Sequence, residues 1–429
     1  MNNKVVKNAS WIIVCRVVQS ILSMIIGMFS ARYLGPSNYG IINYAASVTS
    51  FLVPFAQLGI RNILVNEIIK KPDKEGNILG SSLVMCMVSS VLGIIGVVSF
   101  VSIVNTSEKE TIIVCFLYSI SLLFQATEML QYWFQAKYLS KYTAITSLAV
   151  YVVVMFYKLF LLISGKSIIW FAITNSLDYF LISITLYIIY RKLNGQKLYY
   201  SKDTAKSLFS ISKYYIISSM MVTIFSQTDT IMIKNIVGNE ENGFYSAALT
   251  CANVSNFVFL AIIDSFRPLI SENKKISEDK YQNSIVRLYS IVFYLALLQS
   301  LAFLFVAPLV VSVLYGKAYS ASIPILRTVT WFTAFAYMGT VRNIWILVED
   351  KQKILWIINL CGALSNVLLN AILIPIMGAL GAAIASVATQ FFTNFVLCFL
   401  IPSIRPTGKL IIKSINPMVI TNMLKKRKI

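Results

Sequence analysis

The sequence predicts an all-α integral membrane protein: twelve transmembrane helices in two six-helix bundles, related by a parallel repeat, with both termini cytoplasmic. Three observations predict it. Of the 429 residues, 57% are hydrophobic and only 13% charged, against roughly 25% charged in a soluble domain. Lys and Arg gather in alternate gaps between the apolar runs. A glycine-bracketed turn occurs twice, at equivalent places in the two halves.

The apolar runs fall near 9–33, 39–66, 79–104, 110–135, 142–164, 167–190, 207–235, 243–270, 282–315, 321–348, 353–375 and 378–402. Each can supply the ~20 residues that cross a hydrocarbon core. With the N-terminus inside, the inside gaps hold Lys4 and Lys7; Lys70, Lys71 and Lys74; Lys137 and Lys141; Arg191, Lys192, Lys197, Lys202 and Lys206; Lys274, Lys275 and Lys280; and Lys351 and Lys353. The outside loops hold single bases only: Arg32, Lys109, Lys166, Lys234 and Lys317. Basic residues mark the cytoplasmic side, so count and orientation support each other. The first run carries Arg16 and exceeds a signal-peptide core in length, so no cleaved leader is expected.

The expected organisation is an N-terminal bundle over 1–192, a cytoplasmic linker over 193–206, a C-terminal bundle over 207–402 and a basic amphipathic tail over 403–429. In the tail Lys409 and Lys413 share a face, with Leu410, Ile411, Ile412 and Ile415 around them. Lys425, Lys426, Arg427 and Lys428 follow. Such a segment suits the anionic inner leaflet.

The net charge of +20 does not point to nucleic acid, because the bases lie in short gaps between apolar runs. The chain has no His, which excludes His-ligated metals and His proton relays. Its six Cys all lie in apolar runs without CxxC spacing and read as small buried hydrophobes.

The first turn reads "LGPSNYG". Gly35 and Gly40 are expected to stop one helix and turn the chain, Pro36 to prevent continuation and Asn38 to cap the next helix. Tyr33, Tyr39 and Tyr44 suit the membrane–water interface. The second copy is "GNEENG", with Gly238 and Gly243 at the same spacing. Tyr245, Ala247 and Ala248 follow it, as Tyr44, Ala45 and Ala46 follow the first. An offset of six helices keeps orientation, the parallel repeat of transporters whose site lies between two halves.

The stretches "ARYLGPSNYGIINYAASVTSF", "QTDTIMIKNIVGNEENGFYSAA" and "IPIMGALGAAIASVATQ" resemble the polysaccharide and O-antigen flippase family. That family belongs to the multidrug/oligosaccharidyl-lipid/polysaccharide exporter superfamily. The resemblance runs from the first helix to the twelfth. It implies two six-helix bundles around a central cavity in the bacterial cytoplasmic membrane. It also implies movement of undecaprenyl-diphosphate-linked oligosaccharide from inner to outer leaflet, with no enzymatic step and no cofactor. A polysaccharide polymerase is a candidate partner, besides membrane lipids. No GxxxxGK[ST] loop is present.

Ionisable groups at membrane depth are functional candidates. Arg16 lies about 10 Å into the first helix, at 1.5 Å per residue. Arg61, Arg267 and Arg342 fall in the cytoplasmic third, Arg327 and Lys158 in the outer third. Arg61 and Arg267 occupy equivalent depths in the two repeats. Guanidinium groups bind phosphate bidentately and keep their charge. Arg16, Arg61, Arg267 and Arg342 are therefore the expected diphosphate ligands, with Arg327 and Lys158 as outer-cavity charges. Plainer readings stand beside these: an i,i+3 bridge between Arg267 and Asp264, and snorkelling of Arg61 and Arg342. Asp229, Glu128 and Asp178 are candidates for coupling to a proton or sodium gradient, or else for helix–helix hydrogen bonds.

Pro54, Pro268, Pro308 and Pro324 are candidate kinks or hinges. The small residues of "MGALGAAIASVA" read as helix packing. Two other functions fit the composition. A multidrug antiporter would want an acidic or aromatic cavity, whereas the charges in the cytoplasmic third are mainly Arg. A membrane glycan transferase or polymerase would want a sizeable outside loop, and none is expected.

Overall fold

The computed structural model describes residues 3–419, and the regular secondary structure of the described chain is all helical. The tail bases from Lys425 onward lie outside the described residues. The helices are α1 (Asn3–Ala56), α2 (Leu64–Lys70), α3 (Glu75–Val104), α4 (Lys109–Ser119), α5 (Ser121–Thr127), α6 (Met129–Ala136), α7 (Ser140–Ile163) and α8 (Ile168–Lys192). They continue as α9 (Lys202–Val237), α10 (Asn239–Ala252), α11 (Asn256–Ile276), α12 (Glu278–Leu314), α13 (Ser322–Val348), α14 (Leu355–Phe391), a π-helical turn (Phe392–Val396), α15 (Leu397–Leu400) and α16 (Arg405–Ile415). Among the described residues nine helical runs are long and apolar enough to cross a membrane. Two of these contain a glycine break, at Gly35 and at Gly378. The outer faces are oily: on α3, Val88, Ile95 and Ile103 point outward, Ile103 being 77% exposed. Only lipid makes such a surface stable on a helix with its backbone bonds closed internally.

The chain forms two compact units, 1–235 and 236–429. In the first, α1 packs on α7, α3 and α4, and α8 packs on α7, α4 and α5. Two apolar clusters build this unit. One holds Ile60, Leu64, Leu79, Met129, Trp133, Phe134 and Tyr190. The other holds Leu34, Tyr44, Val97, Val101, Cys115 and Phe171. In the second unit, α13 packs on α12, α14 and α10, and α12 also packs on α11 and α16. One cluster runs from Phe259 and Tyr289 through Tyr337 and Trp345 to Leu410 and Ile411. Phe259 and Tyr337 stack at 4.0 Å.

Three local expectations change. Gly35 alone makes the first turn, at φ 71° and ψ 171°. Pro36 starts the next helix, where its fixed φ and missing N–H suit the first turn, while Asn38 and Gly40 lie inside that helix rather than at its cap position. Gly238 makes the second turn in the same way, at φ 106° and ψ −178°. The segment after Lys192 is no loose connection. A Cβ on Gly76 would sit 2.3 Å from the Lys197 carbonyl oxygen, and one on Gly80 2.4 Å from that of Tyr199. The Gly76 N–H donates to Gln196 Oε1 at 2.9 Å and the Ser201 N–H to Ser81 Oγ at 3.0 Å. Residues 196–201 are thus a strap laid on a glycine face of α3.

The tail helix α16 divides its apolar residues. Its apolar residues Leu410 and Ile411 are buried against α12 rather than turned to lipid. Tyr289 and Thr407 share a hydrogen bond at 2.9 Å, and Ser290 donates to the Ser414 carbonyl at 2.7 Å. Exposed on it are Arg405, Lys409 and Lys413 together with the apolar Ile412 and Ile415.

Candidate functional site

A cavity of 430 Å³ lies within the first unit. Along α1 it falls between the two apolar clusters, at Ser50, Pro54 and Gln57. Just past α1 the chain turns through Leu58 at φ 50° and Gly59 at φ 64°. A Cβ at Gly59 would lie 2.6 Å from the Ser212 carbonyl oxygen, so only glycine lets α9 approach here. The short 3₁₀ turn Ile60–Asn62 then presents Arg61 to the cavity.

Opposite, the helical run from Lys109 is interrupted at Glu128, between α5 and α6. The Glu128 N–H donates to the Gln125 carbonyl at 3.1 Å, and the Gln131 N–H to the Glu128 carbonyl at 2.9 Å. These i→i+3 bonds tighten the turn. Thr127 and Ser183 share a hydrogen bond that fixes it to α8. Gln125, Glu128 and Tyr179 line one wall, and Ser219, Thr223, Ser226 and Gln227 of α9 line another. The cavity therefore holds one fixed cation, one carboxyl group and many neutral amides and hydroxyls. Such a lining binds a polar, hydrogen-bonding solute more readily than an apolar cation.

The charges around it form a chain. Glu128 lies within Coulombic reach of Arg61 and of Asp178, and Asp178 within reach of Lys158 on α7. Asp178 Oδ1 is buried with no hydrogen-bond partner among the described residues. Asp229 is buried on α9, two residues beyond Gln227.

The other expected ligands stand elsewhere. Arg16 is exposed on α1. Arg267 is exposed on α11 and bridges to Asp264 at 3.0 Å, as the plainer reading of that pair has it. Arg327 is exposed on α13. Arg342, expected at a diphosphate, is 3% exposed within the second unit. Its Nη1 donates to the Thr393 carbonyl at 2.7 Å and its Nη2 to Asn343 Oδ1 at 3.1 Å. Thr393 lies in the π-helical turn, whose shifted bonding frees a carbonyl for a buried donor. The guanidinium is thus held by acceptors of its own unit through Nη1 and Nη2, while its buried Nε has no hydrogen-bond partner among the described residues.

One pair escaped the sequence reading. Lys234, counted above as a loop base, is buried and donates to Glu108 Oε1 at 2.7 Å and Oε2 at 2.8 Å. Its ammonium also lies 5.2 Å from the centre of the Tyr44 ring. The signal available was one lysine and one glutamate, 126 residues apart.

Fold and site together define a multi-pass membrane protein with a polar cavity inside one helical unit. Residues 5–274 match the family described as polysaccharide biosynthesis protein, more than half of the chain, and the chain belongs to that family. The chain is 22% identical to the capsular polysaccharide biosynthesis protein CapF of Staphylococcus aureus, over 90% of this chain and 96% of that one. Its fold is similar to that of a multidrug resistance MATE family transporter of the MOP superfamily in an inward-facing conformation. There the TM-score is 0.70 at 12% identity, covering 91% of this chain and 95% of that one. It is equally similar to the lipid II flippase MurJ in an inward closed conformation, with a TM-score of 0.69 at 15% identity and coverage of 96% and 92%.

Proposed function

We propose that the protein moves undecaprenyl-diphosphate-linked oligosaccharide from the inner to the outer leaflet of the bacterial cytoplasmic membrane, for surface polysaccharide assembly, by alternating access. The observation that carries this reading is the cavity itself. Hydroxyls and amides suit a glycan, and Arg61 suits its diphosphate. Arg16, on the helix before the Gly35 break, is the second phosphate ligand in this reading. Arg267 and Arg342 are left out of it, since each is already engaged. Glu128, Asp178 and Asp229 are the coupling carboxyls for a proton or sodium gradient, and a polysaccharide polymerase is the partner that takes the product.

The topology in this reading is twelve spans with both ends cytoplasmic. Dividing the nine apolar runs at Gly35 and Gly378 makes eleven, and α13 is the twelfth. Transport of a labelled undecaprenyl-diphosphate oligosaccharide in proteoliposomes tests the function. Arg61→Ala is expected to lower the rate at least tenfold, with Arg61→Lys intermediate because it keeps charge but loses the planar fork. An unchanged rate in Arg61→Ala at equal protein would remove the cavity from the mechanism.

A further inference from the structure

A second hollow, of 270 Å³, lies in the same unit between α1, α3 and α9. It is lined by Val48, Phe51, Leu52, Gly96, Val97, Phe100, Thr228 and Ile231, and of these only Thr228 carries a polar group. That hydroxyl donates to the Ile224 carbonyl of its own helix, so Thr228 turns no unmet hydrogen bond toward the hollow. Gly96 and Phe100 border the face of α3 that carries the exposed Val91, Leu92 and Ile95, and Phe100 is itself 40% exposed. The hollow therefore communicates with lipid.

Its position relative to the polar cavity gives it a meaning. Ser50 lines the cavity and Phe51 the hollow; Gln227 lines the cavity and Thr228 the hollow. The two spaces adjoin on both α1 and α9, and polarity changes between neighbouring residues. An amphiphile with a hydrogen-bonding head and an apolar chain fits this pair of spaces. We propose that the hollow is a seat for the first isoprene units of a polyprenyl diphosphate whose head occupies the polar cavity. The inference rests on the function proposed above and adds a tail site to it. Gly96 is the residue that keeps the seat open, because its missing side chain leaves the space beside Leu52.

Binding of three probes to the full-length protein in nanodiscs tests this: undecaprenyl diphosphate, geranyl diphosphate and dioleoyl phosphatidic acid. A Cβ at Gly96 would meet only the flexible Leu52 Cδ1, at 3.1 Å, so Gly96→Phe can fold and will fill the seat. It is expected to weaken undecaprenyl diphosphate and geranyl diphosphate alike, each at least tenfold, because the two isoprene units of the short probe are the ones the seat holds. Phe100→Ser, which removes a wall, should act in the same direction. Val91→Phe, on the lipid face of the same helix, should change neither. The inference is overturned if Gly96→Phe and Phe100→Ser both leave undecaprenyl diphosphate affinity within twofold. It is also overturned if phosphatidic acid binds as tightly and is lost in parallel, because the seat then holds ordinary bilayer lipid. Wild-type protein that binds undecaprenyl diphosphate through Gly96 but moves no lipid-linked glycan in proteoliposomes would sink the transport reading and leave the tail seat standing.

Discussion

Gly35 in the first unit and Gly238 in the second turn the chain alike, each with positive φ and an extended ψ. Each is tied to a second glycine turn of its own unit, yet by different chemistry. In the first unit Tyr33 donates its hydroxyl to the Lys166 carbonyl at 3.0 Å, beside Gly165 at φ 62°. In the second, the Glu241 carboxylate accepts from the Ala379 N–H at 2.8 Å, beside Gly378 at φ 59°. That carboxylate caps the first turn of the helix after the break, where free N–H groups and the helix dipole favour an anion. The same backbone break recurs in both units with a different clamp. The arginines divide in the same manner: Arg61 opens on a cavity, whereas Arg267 is bridged to Asp264 and Arg342 is built into a π-helical turn. The backbone break recurs in the two units, and the chemistry around it differs.

The comparison can be broken most directly at Arg342. Arg342→Ala would leave the Thr393 carbonyl unpaired in a buried space and is expected to cost about 3 kcal/mol or more. Thermal unfolding followed by fluorescence-detected gel filtration reads this. A normal melting temperature with lost transport would instead give the second unit a functional arginine. Next come the breaks. Gly35→Ala forces a side chain into a conformation that L-residues avoid, at about 1–3 kcal/mol. Gly378→Ala should lie at the upper end of that range, because its Cβ would also meet Glu241 Oε2 at 2.7 Å. Equal melting temperatures for the two variants would mean that the carboxylate clamp adds nothing.

A third prediction concerns the repeat-related pair. Arg267→Ala should reduce transport less than threefold, against the tenfold expected of Arg61→Ala. If the Arg267 variant is the more damaged and Asp264→Ala does not restore it, the asymmetry has been assigned the wrong way round. The smallest effect is at Tyr33. Tyr33→Phe removes one partly solvated hydrogen bond, about 0.5 kcal/mol, and Glu241→Gln should exceed it because a charge is lost from a helix start.

Much of the fold was legible because lipid imposes a simple rule on sequence: long apolar runs, and breaks where glycine stands. Gly35 and Gly238 announced themselves in this way, whereas Gly378, read among small packing residues, is a break at φ 59° and ψ −140°. Arg61 was legible as a charge within an apolar run. The turn at Glu128 was not, since Gln125, Thr127 and Glu128 sit in an otherwise regular helical pattern and the deviation is a matter of single hydrogen bonds. Arg342 looked like Arg61 from sequence, because depth along a helix says nothing about which side of the helix a residue takes. Lys234 and Glu108 met only through tertiary packing. The amphipathic pattern of α16 marked Leu410 and Ile411, which are buried against α12, while Ile412 and Ile415 of the same pattern stay exposed.

The strap over Gly76 and Gly80 bears on how such chains can recombine. A crossover placed after Lys192, where composition suggests a joint, would bring a foreign strap onto these two glycines. It would have to match the Gln196 and Ser201 hydrogen bonds as well as the bare α3 surface. A crossover at Gly238 meets only a single backbone torsion. Chimeras between relatives should therefore be folded when exchanged near 236 and defective when exchanged near 193, so that the inherited cassette runs to the end of α9 rather than of α8.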